Sequence, residues 1–153
     1  MSDQSLLGSP ERELDESGVY VSVTKGCSMQ PLFKTNRDVI VLRKPTAELK
    51  KYDVALYKTQ SGKYTLHRVV RVAPDEYLIR GDNTFVLEHV KKDRILAVLT
   101  EFTRKGKKHR VTDISYRIYS RVWNLIYPIR LLYVKARHLA CRIYRKIFKK
   151  KQG

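Results

Sequence analysis

The chain has little of what commonly pins a small protein together. Its two cysteines, Cys27 and Cys141, lie far apart, form no disulfide framework and show no metal-ligand spacing, which points to a reducing compartment. His89, His109 and His138 have no partners at ligand spacing, so no metal is expected. No glycine-rich phosphate loop is present either, and no cofactor is expected. Long apolar runs are missing as well. The longest uncharged stretches are 17–24, 26–33 and 122–129, well short of the roughly twenty apolar residues that a membrane-crossing helix needs. The amino terminus is acidic and polar where an export signal is basic and then apolar. The expected location is cytoplasmic, with peripheral attachment at the inner membrane surface open.

Acids are scarce in one region only. Residues 104–153 carry sixteen Lys and Arg against Asp113 alone, a net +15, whereas residues 1–20 sum to −4 and 21–103 to +6. The whole chain is +17. A nearly balanced body with a cationic tail implies a tail that seeks an anionic surface.

What is present sorts into segments. Residues 1–18, rich in Ser, Gly, Pro and acids, read as a flexible acidic leader. From 19 to 104 the pattern is β, with short runs of Val, Ile, Leu and Tyr at 19–23, 38–43, 53–58, 63–72, 76–80 and 94–103. Turn signals such as Ser61-Gly62 and Gly81-Asp82-Asn83 separate them. The expectation is a mainly β domain, a small, strongly bent barrel or sandwich. Residues 105–111 read as a basic linker. From Thr112 onward apolar residues recur at three- and four-residue steps (Ile114, Ile118, Val122, Ile126, Ile129, Leu132, Ala136), so 112–153 reads as a cationic amphipathic helical tail. Pro128 divides it near Asn124–Tyr127.

Two side chains carry candidate chemistry. Ser28 lies in Gly26-Cys27-Ser28-Met29-Gln30-Pro31, where Gly26 permits close backbone approach and Pro31 fixes the chain just beyond the serine. A serine hydroxyl becomes a nucleophile only when a base within hydrogen-bond reach takes its proton. His67, inside the β run 63–72, is such a base by its titration range. Each also has an ordinary reading, Ser28 as a hydrogen-bonding turn residue and His67 as a half-buried strand histidine. Cys27 reads as a small residue packed under the turn.

Taken together, Gly-x-Ser-Met-x-Pro at 26–31, Asp-Val-x-Leu-Tyr at 53–57, His-Arg-Val-Val at 67–70 and Gly-Asp-Asn at 81–83 resemble the signal peptidase and SOS-repressor superfamily of serine peptidases. The resemblance covers about residues 19–103. It implies a coiled β fold and endopeptidase action through an acyl-enzyme on a precursor or leader peptide. The histidine, where many members have lysine, is similar to the branch that works with Ser, His and an acid. By that resemblance Ser28 is the nucleophile, His67 the base, and Met29 and Pro31 shape the substrate cleft. The orienting acid is Glu88 or Asp82, with Glu88 preferred and Asp82 as support. Arg37 and Tyr52 stand where the family has glycine. The alternative is a catalytically silent module that binds peptides or membranes through its tail. The tail's open partners are an anionic membrane surface and a partner protein, and no nucleic-acid motif accompanies its charge.

Overall fold

Eight short strands, several with alternating apolar residues, pair into one antiparallel sheet. The computed structural model describes residues 9–136. In chain order the elements are α1 (Pro10–Ser17), β1 (Val19–Val23), β2 (Val39–Arg43), β3 (Val54–Lys58), β4 (Tyr64–Val72), β5 (Glu76–Arg80), β6 (Glu88–Lys91), β7 (Ile95–Arg104), β8 (Lys107–Arg110) and α2 (Ile114–Leu125). A further helical segment, α3, spans 127–136. The strand order is β1-β2-β7-β3-β4-β5-β6, with β8 paired to β7. The sheet does not close. β1 and β6 remain edges, so the barrel or sandwich expected from strand spacing gives way to an open sheet, bent by register shifts at Val41/Leu42, Leu56/Tyr57 and Val69/Arg71.

Both faces of the sheet are covered, which explains why β3 reads as a continuous apolar run. Val54 and Leu56 join a core with Leu14, Phe33, Leu99 and Phe102. Ala55 and Tyr57 point the other way, into a second core with Leu49, Val69, Tyr77, Ile79 and Val90.

Three segments differ from the sequence expectation. Within the supposed leader, 10–17 is helical. Ser9 caps it by accepting the Arg12 N–H, Pro10 opens it, and Gly18 closes it at φ +72 with its N–H on the Leu14 carbonyl. Leu14 is buried in the first core, and Glu11 accepts from Lys58 Nζ at 3.0 Å and Tyr64 Oη at 2.8 Å. Residues 1–8 lie outside the described residues. Residues 105–111 are not a linker. Lys105 (φ +51) and Gly106 (φ +78) make a two-residue turn that returns β8 along Glu101–Arg104. β6 is the third. Its sequence Glu-His-Val-Lys buries only Val90, so no apolar alternation announces it.

The helical tail begins and breaks where expected. α2 ends at Leu125, Ile126 is a turn, and Pro128 sits in the first turn of α3, where its missing N–H removes no needed bond. The expected continuation through Ala140, Ile143 and Ile147 lies outside the described residues. Tyr52 takes φ +83, a left-handed conformation natural to the glycine that the resembled family has there; at the other such position it is Asn36, beside Arg37, that is left-handed at φ +58.

Candidate active site

The loop from β1 to β2 carries Ser28. Thr24 pins its base, donating its N–H to the Asp38 carbonyl and its hydroxyl to the Lys34 carbonyl. Asp38 is fully buried. Burial works against its charge, but Arg37 at 2.6 and 2.9 Å and the Lys34 N–H at 2.8 Å more than offset this and hold its carboxyl below the usual range. Gly26 turns the chain at φ +75. From the other side, the Asn83 N–H donates to the Ser28 carbonyl at 2.7 Å and the Asn83 side chain to the Cys27 carbonyl at 3.3 Å. The Gly-Asp-Asn turn therefore clamps the backbone of the serine itself.

β4 delivers His67, buried to 7% exposure. Its Nδ1 lies 2.8 Å from Glu88 Oε1 on β6 and 3.2 Å from Tyr57 Oη on β3. Tyr57 spends its own proton on Glu88 Oε2 at 2.7 Å. Burial and that hydrogen bond push the phenol far above its ordinary value, so it stays protonated and donates. Nδ1 then carries the hydrogen and gives it to Glu88, while Nε2 keeps a lone pair. Burial pushes the imidazole below its ordinary 6.5 against the pull of Glu88, so the neutral form prevails near neutrality.

Nε2 faces the serine loop across Gly81. A Cβ placed on Gly81 would lie 2.7 Å from the Ser28 carbonyl oxygen and 3.0 Å from His67 Nε2, so both converge on one point. Only glycine fits between them. Gly81→Ala is expected to lower stability by about 1–3 kcal/mol through overpacking. Thermal unfolding checks this, and an unchanged Tm would mean that the serine loop yields freely. Ser28, His67 and Glu88 line a single groove of about 1070 Å³, whose apolar wall includes Met29, Ile40, Leu42, Leu56 and Leu66. Both imidazole hydrogen bonds are made at Nδ1; among the described residues Nε2 has none, and Ser28 Oγ is not bonded to it.

The expected site residues divide. His67 and Glu88 are hydrogen-bonded, and Ser28 lines the same groove. Asp82 does not reach the imidazole, because its two oxygens are held by Arg68 Nε and Nη2, each at 2.7 Å. Its role is structural, since an oxygen pair engaged by a buried guanidinium cannot also orient His67. Met29 lines the groove and is buried in the core. Pro31, expected in the cleft, is exposed and outside the lining, and the residues that this end of the loop buries are Leu32 and Phe33 instead. Cys27 is exposed instead of packed under the turn, because only its carbonyl is used, by Gln30 and Asn83. No cluster of His, Cys, Asp or Glu suited to a metal occurs among the described residues. His89 pairs with Glu76 at 2.7 Å, and His109 stacks on Phe102.

Sequence reasoning missed Tyr57 and Arg68 as participants, although both stand inside the quoted motifs. Register offers a signal for Tyr57. Ala55 pairs with His67, so Tyr57, two residues on, shares the histidine's face. Arg68 gave none; an arginine in a strand reads as solvent-facing, yet this one is fully buried.

No protein-family model matches this chain, and no curated protein sequence matches it.

Proposed function

We propose that the chain is a serine endopeptidase that cuts an extended segment of a precursor or leader peptide. The observation that carries this is the Tyr57–Glu88–His67 arrangement, which fixes the hydrogen on Nδ1 and leaves Nε2 as a base toward the serine loop in one open groove. Ser28 Oγ attacks the scissile carbonyl carbon as its proton passes to Nε2. The imidazolium, facing the Glu88 carboxylate, then gives that proton to the leaving amine. Water, deprotonated by the same nitrogen, releases the acyl group and restores the serine. The Ser28 N–H has no protein acceptor among the described residues, which leaves it available to the oxyanion.

The groove suits an extended peptide. Tyr20, Ser22 and Val23 of the edge strand β1 form one wall, and Tyr64–His67 form another where β4 pairs only with β3. Both edges can accept main-chain hydrogen bonds from a substrate strand. Among the described residues no helix is long and apolar enough to cross a bilayer.

A fluorophosphonate probe tests the reading. Wild type is expected to be labelled and Ser28→Ala not; folded wild type that stays unlabelled would overturn the proposal. Ser28 Oγ makes no hydrogen bond to Nε2, which favours the other reading, a silent binding module, and that module would give this unlabelled result. The rate of labelling should also follow pH. Neutral His67 is the active form and its burial lowers its proton affinity, so the acid limb should fall below pH 6.5 with a plateau above it. A limb above 6.5 would mean that Glu88 outweighs burial at this site.

A further inference from the structure

We propose that α2 and α3 form a docking face for an anionic lipid bilayer, lying in the interface with their shared apolar stripe toward the acyl chains. One face of α2 is fully committed to the protein. Arg68 Nη1 donates to Tyr116 Oη and Ser120 Oγ, Tyr119 Oη donates to Asp82 Oδ2, and Trp123 Nε1 donates to the Asp82 carbonyl at 2.8 Å. α3 is fastened to the same turn. Arg130 reaches the Asp82 carbonyl at 2.8 Å and lies over the Trp123 ring at 3.9 Å, while Arg80 lies 3.3 Å over Tyr127.

The opposite face is apolar and bare. Ile114, Ile118, Val122, Leu125, Ile129 and Leu132 are between 47% and 77% exposed and follow one another at three- and four-residue steps across the break at Ile126. The bonds to Arg68 and Asp82 prevent this stripe from rolling onto the sheet. A surface helix of a soluble domain turns its apolar stripe inward; here the polar and aromatic face is inward and the aliphatic one outward. An exposed apolar band of this length marks an interaction surface.

Charge selects the occupant. Arg117 and Arg121 are exposed on α2 beside the stripe, and residues 104–153 hold sixteen basic groups against one acid. Aliphatic side chains flanked by arginines fit an acyl-chain boundary beneath anionic headgroups. A nucleic acid would leave the stripe in water. A second copy would bring together two chains that each carry +17. The inference does not depend on the peptidase reading, and its readout is independent of activity.

Flotation of the full chain with phosphatidylglycerol–phosphatidylcholine vesicles, against pure phosphatidylcholine, provides the test. Wild type should float with the anionic vesicles, at least about tenfold less with neutral ones, and less as salt is raised. The triple variant Ile118→Asp/Leu125→Asp/Ile129→Asp, with unchanged circular dichroism and Tm, should lose about tenfold or more of the binding, because the stripe no longer enters the interface. Binding retained in that variant would overturn the proposal by assigning it to charge alone. Equal flotation with neutral vesicles would also overturn it. So would absence of flotation, whether the chain sediments as a monomer or as a dimer that the triple variant dissociates.

Discussion

Arg68→Ala should destabilise the fold by about 3–5 kcal/mol, the cost of leaving one member of a buried ion pair without its partner. Arg68 is fully buried and Asp82 nearly so, and their bidentate pairing at 2.7 Å is supplemented by bonds from Arg68 Nη1 to the Tyr52 carbonyl, Tyr116 and Ser120. Burial alone would weaken the guanidinium's hold on its proton, but Asp82 beside it more than compensates. Removing the guanidinium orphans a carboxylate and a carbonyl, and frees the two α2 side chains it holds. Urea unfolding measures the loss. The double variant Arg68→Leu/Asp82→Leu should cost far less than the sum of the single changes, because it removes both charges. A single-variant loss below about 1 kcal/mol, the level of an exposed pair, would show that water reaches the site.

The largest expected effect on chemistry belongs to Glu88→Gln. Tyr57 donates to one oxygen of Glu88, so an amide there must turn its oxygen to Tyr57 and its NH2 to His67 Nδ1. Nδ1 is then forced to accept, the hydrogen moves to Nε2, and the base is lost. A wrong tautomer in a comparable triad lowers kcat about ten-thousandfold with the geometry intact. Probe labelling of a variant with unchanged Tm is the measurement. Adding Tyr57→Phe frees the amide to flip and should recover part of the rate. A rate lost to mere loosening of the fold would fall further in the double variant.

β2 and β5 were legible because they bury alternate residues, and β3 because it buries both sets. α1 escaped because six polar residues surround its core anchor, Leu14, although Ser9, Pro10 and Gly18 spell out its ends. β6 escaped for the opposite reason, since it is held by backbone pairing to β5 with little apolar content. That strand carries Glu88, so sequence spacing left two acids open for His67. The separation of their roles rests on Arg68, whose burial depends on groups up to 52 positions away. Local pattern cannot reveal such a partner. Likewise, periodicity showed that the tail is amphipathic but could not show which face the sheet would take.

Asp82 serves two masters at once. Its carboxylate fastens a strand and a helix, its carbonyl receives Trp123 and Arg130, and the next residue grips the serine's own carbonyl. The helices that read as a tail are thus part of the foundation beneath the Ser28 loop. Excising them would strip the buried arginine of its cover and slacken the serine loop in the same stroke.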